Sequence, residues 1–209
     1  LGADLATYQE YDAMGNPNKA WLPAKVTANT GRFVSLNNLR SNSFSTYGGD
    51  GYAYSLSVFE NSPLKRVIED YAPGASWVGD PTGHQLSYNV LSSTSICHYT
   101  ATNGSNDTIV NIKLLSMYDI GDLLVESDAD EDYKITKTYT DKEGKRVMEE
   151  QSGHYTYYVY DSRSRLRAVL PPQLSAALTT VGTTWSNASN NLVRQYAYLY
   201  TYNGQGNCT

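Results

Sequence analysis

The 209-residue chain has few of the residues on which metal-binding, nucleotide-binding and membrane-spanning proteins depend. Its only histidines, His84, His98 and His154, are too far apart for a zinc-ligand motif. It has no glycine-rich phosphate-binding loop. No run approaches the roughly 18 apolar residues that span a bilayer. These absences disfavour a zinc enzyme, a nucleotide-dependent enzyme and a membrane span in this segment.

Charge is also scarce, at 18% of the residues against the usual quarter or so. The formal net charge is −5, and there is no basic run. Because nucleic-acid binding depends on clustered Lys and Arg, we expect no nucleic-acid partner.

The chain has two cysteines, Cys97 and Cys208, and neither belongs to a C-x-x-C motif. One disulfide between them is possible, but we interpret both as separate thiols. Cys97 stands beside His98, which could suggest a nucleophile and its base. Catalysis needs the two groups to meet in space rather than in sequence, so we expect no enzyme and no cofactor.

Tyrosine is abundant instead, with 19 residues against 3 phenylalanines. A tyrosine has an apolar ring and a polar tip, which suits strands that are half buried and half in contact with water. Apolar residues make up 40% of the chain, enough for a packed core. The composition predicts an all-β fold, mainly antiparallel, with one or two short helices.

Five short segments share a tyrosine, an Asp or Asn soon after it, and usually a following glycine. They are Tyr11-Asp12-x-x-Gly15, Tyr118-Asp119-x-Gly121, Tyr139-x-Asp141-x-x-Gly144, Tyr160-Asp161-x-x-Ser164-Arg165 and Tyr202-Asn203-x-x-Gly206. The copy at Tyr139 has one extra residue, and the copy at Tyr118 is short. Tyr118, Tyr139 and Tyr160 are 21 residues apart, and Tyr202 follows after 42, so one slot is skipped. Regular spacing of this length predicts stacked supersecondary units.

Each segment reads as the turn of a β-hairpin. An Asp or Asn opens a tight turn by bonding the backbone two residues on. Glycine three residues later supplies a positive φ. Tyrosines alternate on the incoming strands, as in 155–159 and 196–202, which indicates period-two strands. One hairpin is marginal alone, so we expect the hairpins to share one sheet.

These segments resemble the YD-repeat (RHS-repeat) family, in which Tyr-Asp is followed by Gly-Arg or Gly-Asn and an apolar strand. The most specific match is Tyr157-Tyr158-Val159-Tyr160-Asp161 followed by Leu166-Arg167-Ala168-Val169-Leu170-Pro171-Pro172. Ser62-Pro63-Leu64-Lys65-Arg66-Val67 resembles the N-terminal module of RHS-like proteins of Bacteroides-type bacteria. The resemblance implies a curved or shell-like sheet of stacked hairpins, with flanking repeats as partners.

The resemblance implies two functions for a protein at the cell surface or outside a bacterium. One is a structural segment of a shell or rod, as in toxin-delivery or cell-contact systems. The other is an adhesion or carbohydrate-binding module that contacts a glycan or a partner cell through exposed tyrosines. We predict a degenerate β module over 1–116 and a YD-repeat segment over 117–209, truncated at its C-terminus.

Three local predictions complete the sequence interpretation. The Ser/Asn/Gly-rich stretch 37–51 predicts a loop. Pro172 and the spacing of Leu174 and Leu178 predict a helix over 172–181. Asp128, Asp130 and Asp132 form a D-x-D-x-D run that could bind calcium, although the glycine and the final glutamate of a calcium loop are missing. The alternative is a solvated acidic turn between strands.

Overall fold

The computed structural model describes residues 3–27, 31–78, 83–106, 108–203 and 208. The chain divides into two compact units, one of residues 1–87 and 128–134 and the other of residues 88–127 and 135–209. Within the described residues the fold is mostly antiparallel β-structure with three short helices. The predicted fold class is therefore confirmed, with one helix more than expected. None of the described helices has the length and apolar character needed to cross a membrane.

The first unit is built from strands and one helix. In chain order they are β1 (Ala3–Ala6), β2 (Gln9–Tyr11), β3 (Pro17–Trp21), β4 (Ala24–Thr27), α1 (Leu36–Thr46), β5 (Tyr54–Phe59), β6 (Val67–Tyr71) and β7 (His84–Val90). Strands β1 and β4 form an antiparallel pair. Strands β2, β3, β5, β6 and β7 are successive antiparallel neighbours.

The second unit continues the chain. Its elements are β8 (Cys97–Asn103), β9 (Val110–Met117), β10 (Leu124–Ala129), β11 (Ile135–Thr140), β12 (Arg146–Gln151), β13 (His154–Tyr160), β14 (Leu166–Leu170), α2 (Pro172–Ser175), β15 (Thr184–Ser186), α3 (Asn191–Tyr196) and β16 (Tyr198–Leu199). Strands β11 to β14 form an antiparallel meander, and β16 pairs with β14. Strand β9 pairs with β8 and β15, and β8 meets β13 in parallel at Thr100 and Tyr160.

The core of the second unit follows from period-two burial along its strands. On β9, Val110, Ile112 and Leu114 are fully buried, while the residues between them face outward. Leu174 and Val193 bring α2 and α3 onto this core. Complete burial of such a side chain contributes about 1.5–3 kcal/mol. The alternating pattern therefore fixes which face of the sheet packs inward.

The loop predicted over 37–51 is wrong in its first part, because residues 36–46 form α1. The Ser35 hydroxyl caps the helix by accepting a hydrogen bond from the Asn38 N–H. Only Leu39 and Ser43 of α1 are buried. A helix with so narrow a buried face has little hydrophobic periodicity, and its Ser and Asn content resembles that of a loop.

The helix predicted over 172–181 begins at Pro172, as expected, but ends at Ser175. Leu178 is still buried, although Val181 is exposed and Gly182 adopts a φ of +82°. The strand predicted over 196–202 is also mostly wrong. Tyr196 ends α3, and only β16 is a strand in that stretch. The Asn190 cap, whose side chain accepts from the Val193 N–H, starts this unpredicted helix.

The domain boundary predicted between residues 116 and 117 falls inside the 88–127 segment of the second unit. The compact units divide within β7, within β10 and directly before β11. The module boundary rests on the repeat pattern and stays a prediction.

Candidate functional site

Three of the predicted turns share one hydrogen-bonding pattern. Asp12, Asp141 and Asp161 each accept two backbone N–H groups on Oδ1, from the residues two and four positions later. The N–H of each Asp donates to the carbonyl four residues on, at 2.9–3.0 Å. Each carboxylate thus holds its own loop closed, as the sequence predicts for a turn-opening Asp.

The third residue after each Asp lies in the left-handed region. The φ values are +80° at Gly15, +81° at Gly144 and +62° at Ser164. Ser164 therefore carries strain that the two glycines avoid.

A further turn of this kind was missed. Asp130 Oδ1 accepts the N–H groups of Asp132 and Lys134 at 3.0 and 2.8 Å, and Tyr133 adopts a φ of +59°. The Asp130 N–H donates to the Lys134 carbonyl. Neither a tyrosine before Asp130 nor a glycine at position 133 marks it. The available signal was an Asp followed four residues later by a Lys, as at Asp141 and Lys145.

The three acidic residues of the D-x-D-x-D run each make other contacts. Asp130 caps its own turn, Asp132 contacts Lys134 Nζ at 3.3 Å, and Asp128 pairs with His84. Within the described residues, no three His, Cys, Asp or Glu side chains are grouped to hold a metal ion. The structure thus does not bring Asp128, Asp130 and Asp132 together as a calcium site.

The residue that leads each turn is the one directly before the Asp or Asn, and it pairs with the residue six positions later. The pairs are Tyr11 with Pro17, Thr140 with Arg146, Tyr160 with Leu166, and Tyr202 with Cys208. Gly206, predicted in the last turn beside Asn203, lies outside the described residues.

Two of the predicted copies need correction. Tyr139 is buried, and Thr140 holds the leading position, so the apparent extra residue is not an insertion in the turn. Asp119 opens a turn in which Gly121 has a φ of +81°. This turn does not close a hairpin, because β9 and β10 are not neighbours.

Successive turns of the second unit are joined by the same contact, which we call the tyrosine clasp. The Tyr160 hydroxyl donates to the Arg146 carbonyl at 3.0 Å, and the Lys145 ammonium lies 5.7 Å from the Tyr160 ring centroid. One turn further, Tyr202 donates to the Leu166 carbonyl at 2.9 Å, with Arg165 at 4.8 Å from its ring. In both clasps the acceptor is five residues after the Asp, and the cation is four residues after it.

The clasps also explain why Tyr202 follows Tyr160 after 42 residues rather than 21. Between the first two turns, β12 and β13 are joined by Ser152 and Gly153, whose φ values of +52° and +76° make a two-residue type I′ turn. After the next turn, the chain instead leaves through residues 171–197 and returns in β16, beside β14. The repeat is therefore extended by this excursion rather than missing a unit.

Other tyrosine hydroxyls bond to neighbouring strands. Tyr139 donates to Glu150 at 3.0 Å, and Tyr158 donates to Glu149 at 2.6 Å. Burial, with help from Glu150, raises the pKa of Tyr139 to about 12. These hydroxyls remain protonated donors at neutral pH, and they form the cross-strand contacts that stabilise a sheet.

Arg167 is the most unusual buried side chain of the second unit, with only 2% of its surface exposed. It donates to the Tyr200 carbonyl at 2.9 Å and to Asn103 Oδ1 at 2.6 Å, and it lies 3.6 Å from Asp161 Oδ2. Burial alone would raise the pKa of Asp161, but hydrogen bonds, first from Arg165, lower it. No pattern in the sequence distinguishes the buried Arg167 from an exposed charged residue on a strand.

A partly enclosed pocket of about 120 Å³ lies in the second unit, between β8 and the turns at Asp141 and Asp161. His98 and Tyr118 stack in it, with ring centroids 4.4 Å apart and planes 23° from parallel. Burial lowers the pKa of His98 and raises that of Tyr118 to about 12. Both side chains are therefore neutral at pH 7.

Cys97 and His98 both line this pocket, together with carboxylates, but they do not form a nucleophile and base pair. Neighbouring residues on a strand face opposite sides. Cys97 lies on the buried side of β8 with Tyr99, while His98 is half-buried on the other side. Burial raises the pKa of Tyr99 and of Tyr157, and the Tyr157 hydroxyl accepts a hydrogen bond from the Cys97 N–H at 3.4 Å. Cys97 is a buried free thiol, and Cys208 is an exposed one.

One comparison with known proteins covers part of the chain. A family model described as a domain of unknown function, DUF6443, matches residues 2–90, which is less than half of the 209 residues. The match ends close to the end of the main segment of the first unit, Leu1–Ser87. No curated protein matches the chain. The chain is therefore similar to an uncharacterised domain over residues 2–90.

Proposed function

We propose that this chain is a structural segment of a large YD-repeat protein at the surface of a bacterium or secreted from it. In this role, tyrosine-led hairpins add side by side to build a wall, and flanking repeats are its partners. The observation that carries the proposal is the tyrosine clasp, which occurs with equivalent atoms at Tyr160 and Tyr202.

A repeated clasp supports a scaffold because each turn supplies what the next turn needs. The basic residue and the carbonyl of one turn receive the leading tyrosine of the following turn. Repeat proteins are stabilised by such nearest-neighbour interfaces, so units can be added without new chemistry.

The use of polar groups also favours a structural role over catalysis. Both carboxylate oxygens of Asp12 and of Asp161 accept hydrogen bonds from within their own turns. Glu149 and Glu150 accept tyrosine hydroxyls. A catalytic acid or base needs a free hydrogen-bonding position toward its substrate, and these carboxylates use theirs to hold the sheet together.

A second candidate function, adhesion through exposed tyrosines, is favoured by several rings that contact water. Among the described tyrosines with large exposed fractions are Tyr11 (63%), Tyr133 (61%) and Tyr198 (66%). Exposed aromatic rings can stack on sugar rings or on partner side chains. Adhesion would depend on these exposed rings, whereas the scaffold depends on the clasp tyrosines, Tyr160 and Tyr202.

Duplication of one repeat tests the scaffold. Residues 141–160 contain one turn, β12, the Ser152-Gly153 turn and β13, and a second copy is inserted directly after Tyr160. Because the copy brings its own clasp residues, we expect a folded protein with more strand and one cooperative unfolding transition. The matched control inserts the same 20 residues in shuffled order. Equal circular dichroism spectra and unfolding curves for the two insertions would count against the scaffold.

A glycan array tests the second candidate. Selective binding that is lost when Tyr11, Tyr133 and Tyr198 are replaced by Ser would favour adhesion over the scaffold. The control replaces Phe33, another exposed aromatic residue, by Ser.

A further inference from the structure

The pocket beside β8 contains polar atoms that the fold leaves without partners. Within the described residues, neither the imidazole nitrogens of His98 nor the Tyr118 hydroxyl has a hydrogen bond, although the two rings are stacked. Oδ1 of Asp141 accepts two backbone N–H groups, and its second oxygen has no such contact. A neutral imidazole offers one donor and one acceptor, and a phenol hydroxyl offers both.

Two of the three charged side chains that line the pocket have ion-pair partners. Asp161 is paired with Arg165 at 2.8 Å, and Lys145, which also lines the pocket, is paired with Glu143. His98 is neutral because burial lowers its pKa. The Asp141 carboxylate would repel an anion, and its second oxygen can accept hydrogen bonds from the hydroxyls of a neutral ring. The pocket therefore disfavours an anion and offers an acceptor to a hydroxylated ligand.

Half of the residues that line the pocket have aromatic rings, and they include the stacked Tyr118 and His98 as well as Tyr158 and Tyr160. The Tyr158 and Tyr160 hydroxyls are held by Glu149 and by the Arg146 carbonyl, which fixes both rings in place. A cavity of about 150 Å³ accepts a benzene-sized molecule, so about 120 Å³ with one open side accepts the edge of one six-membered ring.

We propose that this pocket binds a single neutral hydroxylated ring, such as the terminal sugar of a glycan. The ring lies against the aromatic walls, and its hydroxyls bond to His98, Tyr118 and the second oxygen of Asp141. Rigid aromatic walls with a few convergent polar groups are typical of small-molecule sites. The proposed binding does not require the scaffold function, although the clasp residues Tyr160 and Lys145 line the pocket. Its contacts are half-buried side chains rather than the exposed tyrosines of the adhesion candidate.

Saturation-transfer NMR on the intact 209-residue protein tests the site. The probes are the methyl glycosides of glucose, galactose, mannose and N-acetylglucosamine. For one ring held by a few hydrogen bonds, we expect a Kd on the order of 1 mM for at least one glycoside. Because the ligand has no charge, the Kd should be unchanged between low and high salt. Titration should also shift the ring proton signals of His98.

Two conservative variants and one control locate the binding. Tyr118→Phe removes only the hydroxyl and keeps the stacked ring, so the Kd should rise about fivefold. His98→Phe keeps the stack and removes both nitrogens, and it should weaken binding at least as much. Tyr133→Phe removes a hydroxyl from an exposed tyrosine that does not line the pocket and should leave the Kd unchanged.

Several results would overturn the proposal. One is the absence of saturation transfer to all four glycosides at concentrations of about 20 mM. Another is a Kd that is the same in the Tyr118→Phe variant and the native protein. Salt-dependent binding of tetramethylammonium or methyl phosphate at His98, in place of the glycosides, would assign the pocket to a charged ligand. The shift of the His98 signals is measured on the native protein, so the test holds even if a variant does not fold.

Discussion

Replacing Arg167 by Met should destabilise the second unit more than any other conservative change of a charged residue in it. Arg167 is 2% exposed and donates to the Tyr200 carbonyl and to Asn103 Oδ1. Methionine keeps the length of the apolar stem but cannot donate. Hydrogen bonds from a charged group contribute about 1.5–3 kcal/mol each, and the apolar side chain recovers part of this loss. We expect the free energy of unfolding to fall by about 3 kcal/mol.

Hydrogen exchange of backbone amides in β14, such as those of Ala168 and Leu170, measures this loss in the second unit alone. The loss should also appear in urea as a lower midpoint, by about 1.5 M if the slope is about 2 kcal/mol per M. Arg167→Lys keeps the charge without the planar fork and should fall between the native protein and Arg167→Met.

Arg163 provides the matched control, because its side chain is exposed in the turn that Asp161 caps. Arg163→Met should change the stability by less than about 0.5 kcal/mol. If Arg167→Met were equally mild, the buried guanidinium would not stabilise β14 against the Tyr200 segment, and the reasoning from its hydrogen bonds would be refuted.

Three further changes test the turns. Tyr160→Phe removes the clasp hydrogen bond and should lower the free energy of unfolding by about 1 kcal/mol, whereas Tyr11→Phe, at an exposed ring, should be neutral in the same urea titration. Ser164→Gly relieves the positive φ of +62° and should stabilise by up to about 1 kcal/mol, so a lower melting temperature would contradict the strain argument. Between β5 and β6, Glu60 and Arg66 form an ion pair at 2.8 Å. Hydrogen bonds, first from Arg66, lower the pKa of Glu60 to about 2, so the contribution of Glu60 to stability is complete above about pH 4.5 and is lost as pH falls toward 2. Glu60→Gln should therefore show a smaller loss of stability between pH 6 and pH 2.5, and an unchanged acid loss would disprove this role.

The hairpin turns were predictable because their chemistry is local. An Asp that bonds the backbone two and four residues later, with a glycine at the third position, leaves its signature in five consecutive residues. Gly15 and Gly144 carry that signature in full. At Asp130 the same turn forms with Tyr133 at the positive φ, so the glycine signal is missing and only the hydrogen bonds identify it.

The elements outside the repeat were not predictable, because long-range contacts determine them. Tyr196 continues a tyrosine alternation in the sequence, yet it ends α3, whose Val193 is fully buried against the core. The pocket likewise brings together Tyr118, His98 and Asp141 from three separate segments. Thr140, rather than Tyr139, leads its turn because Tyr139 is drawn into the core. No local pattern distinguishes these outcomes.

The two ends of a hairpin unit differ in how much the length of the connecting chain can vary. At one end the chain makes the carboxylate-capped loop, and in the second unit a clasp fixes that loop to its neighbour. At the other end the return path can be two residues long, as at Ser152 and Gly153, or can hold the whole of 171–197, as between β14 and β16. The same is true between β3 and β5, where the chain passes through β4 and α1 before the strands pair. New segments can thus be inserted in the return path, while the carboxylate-capped loop at the other end keeps the strands in register.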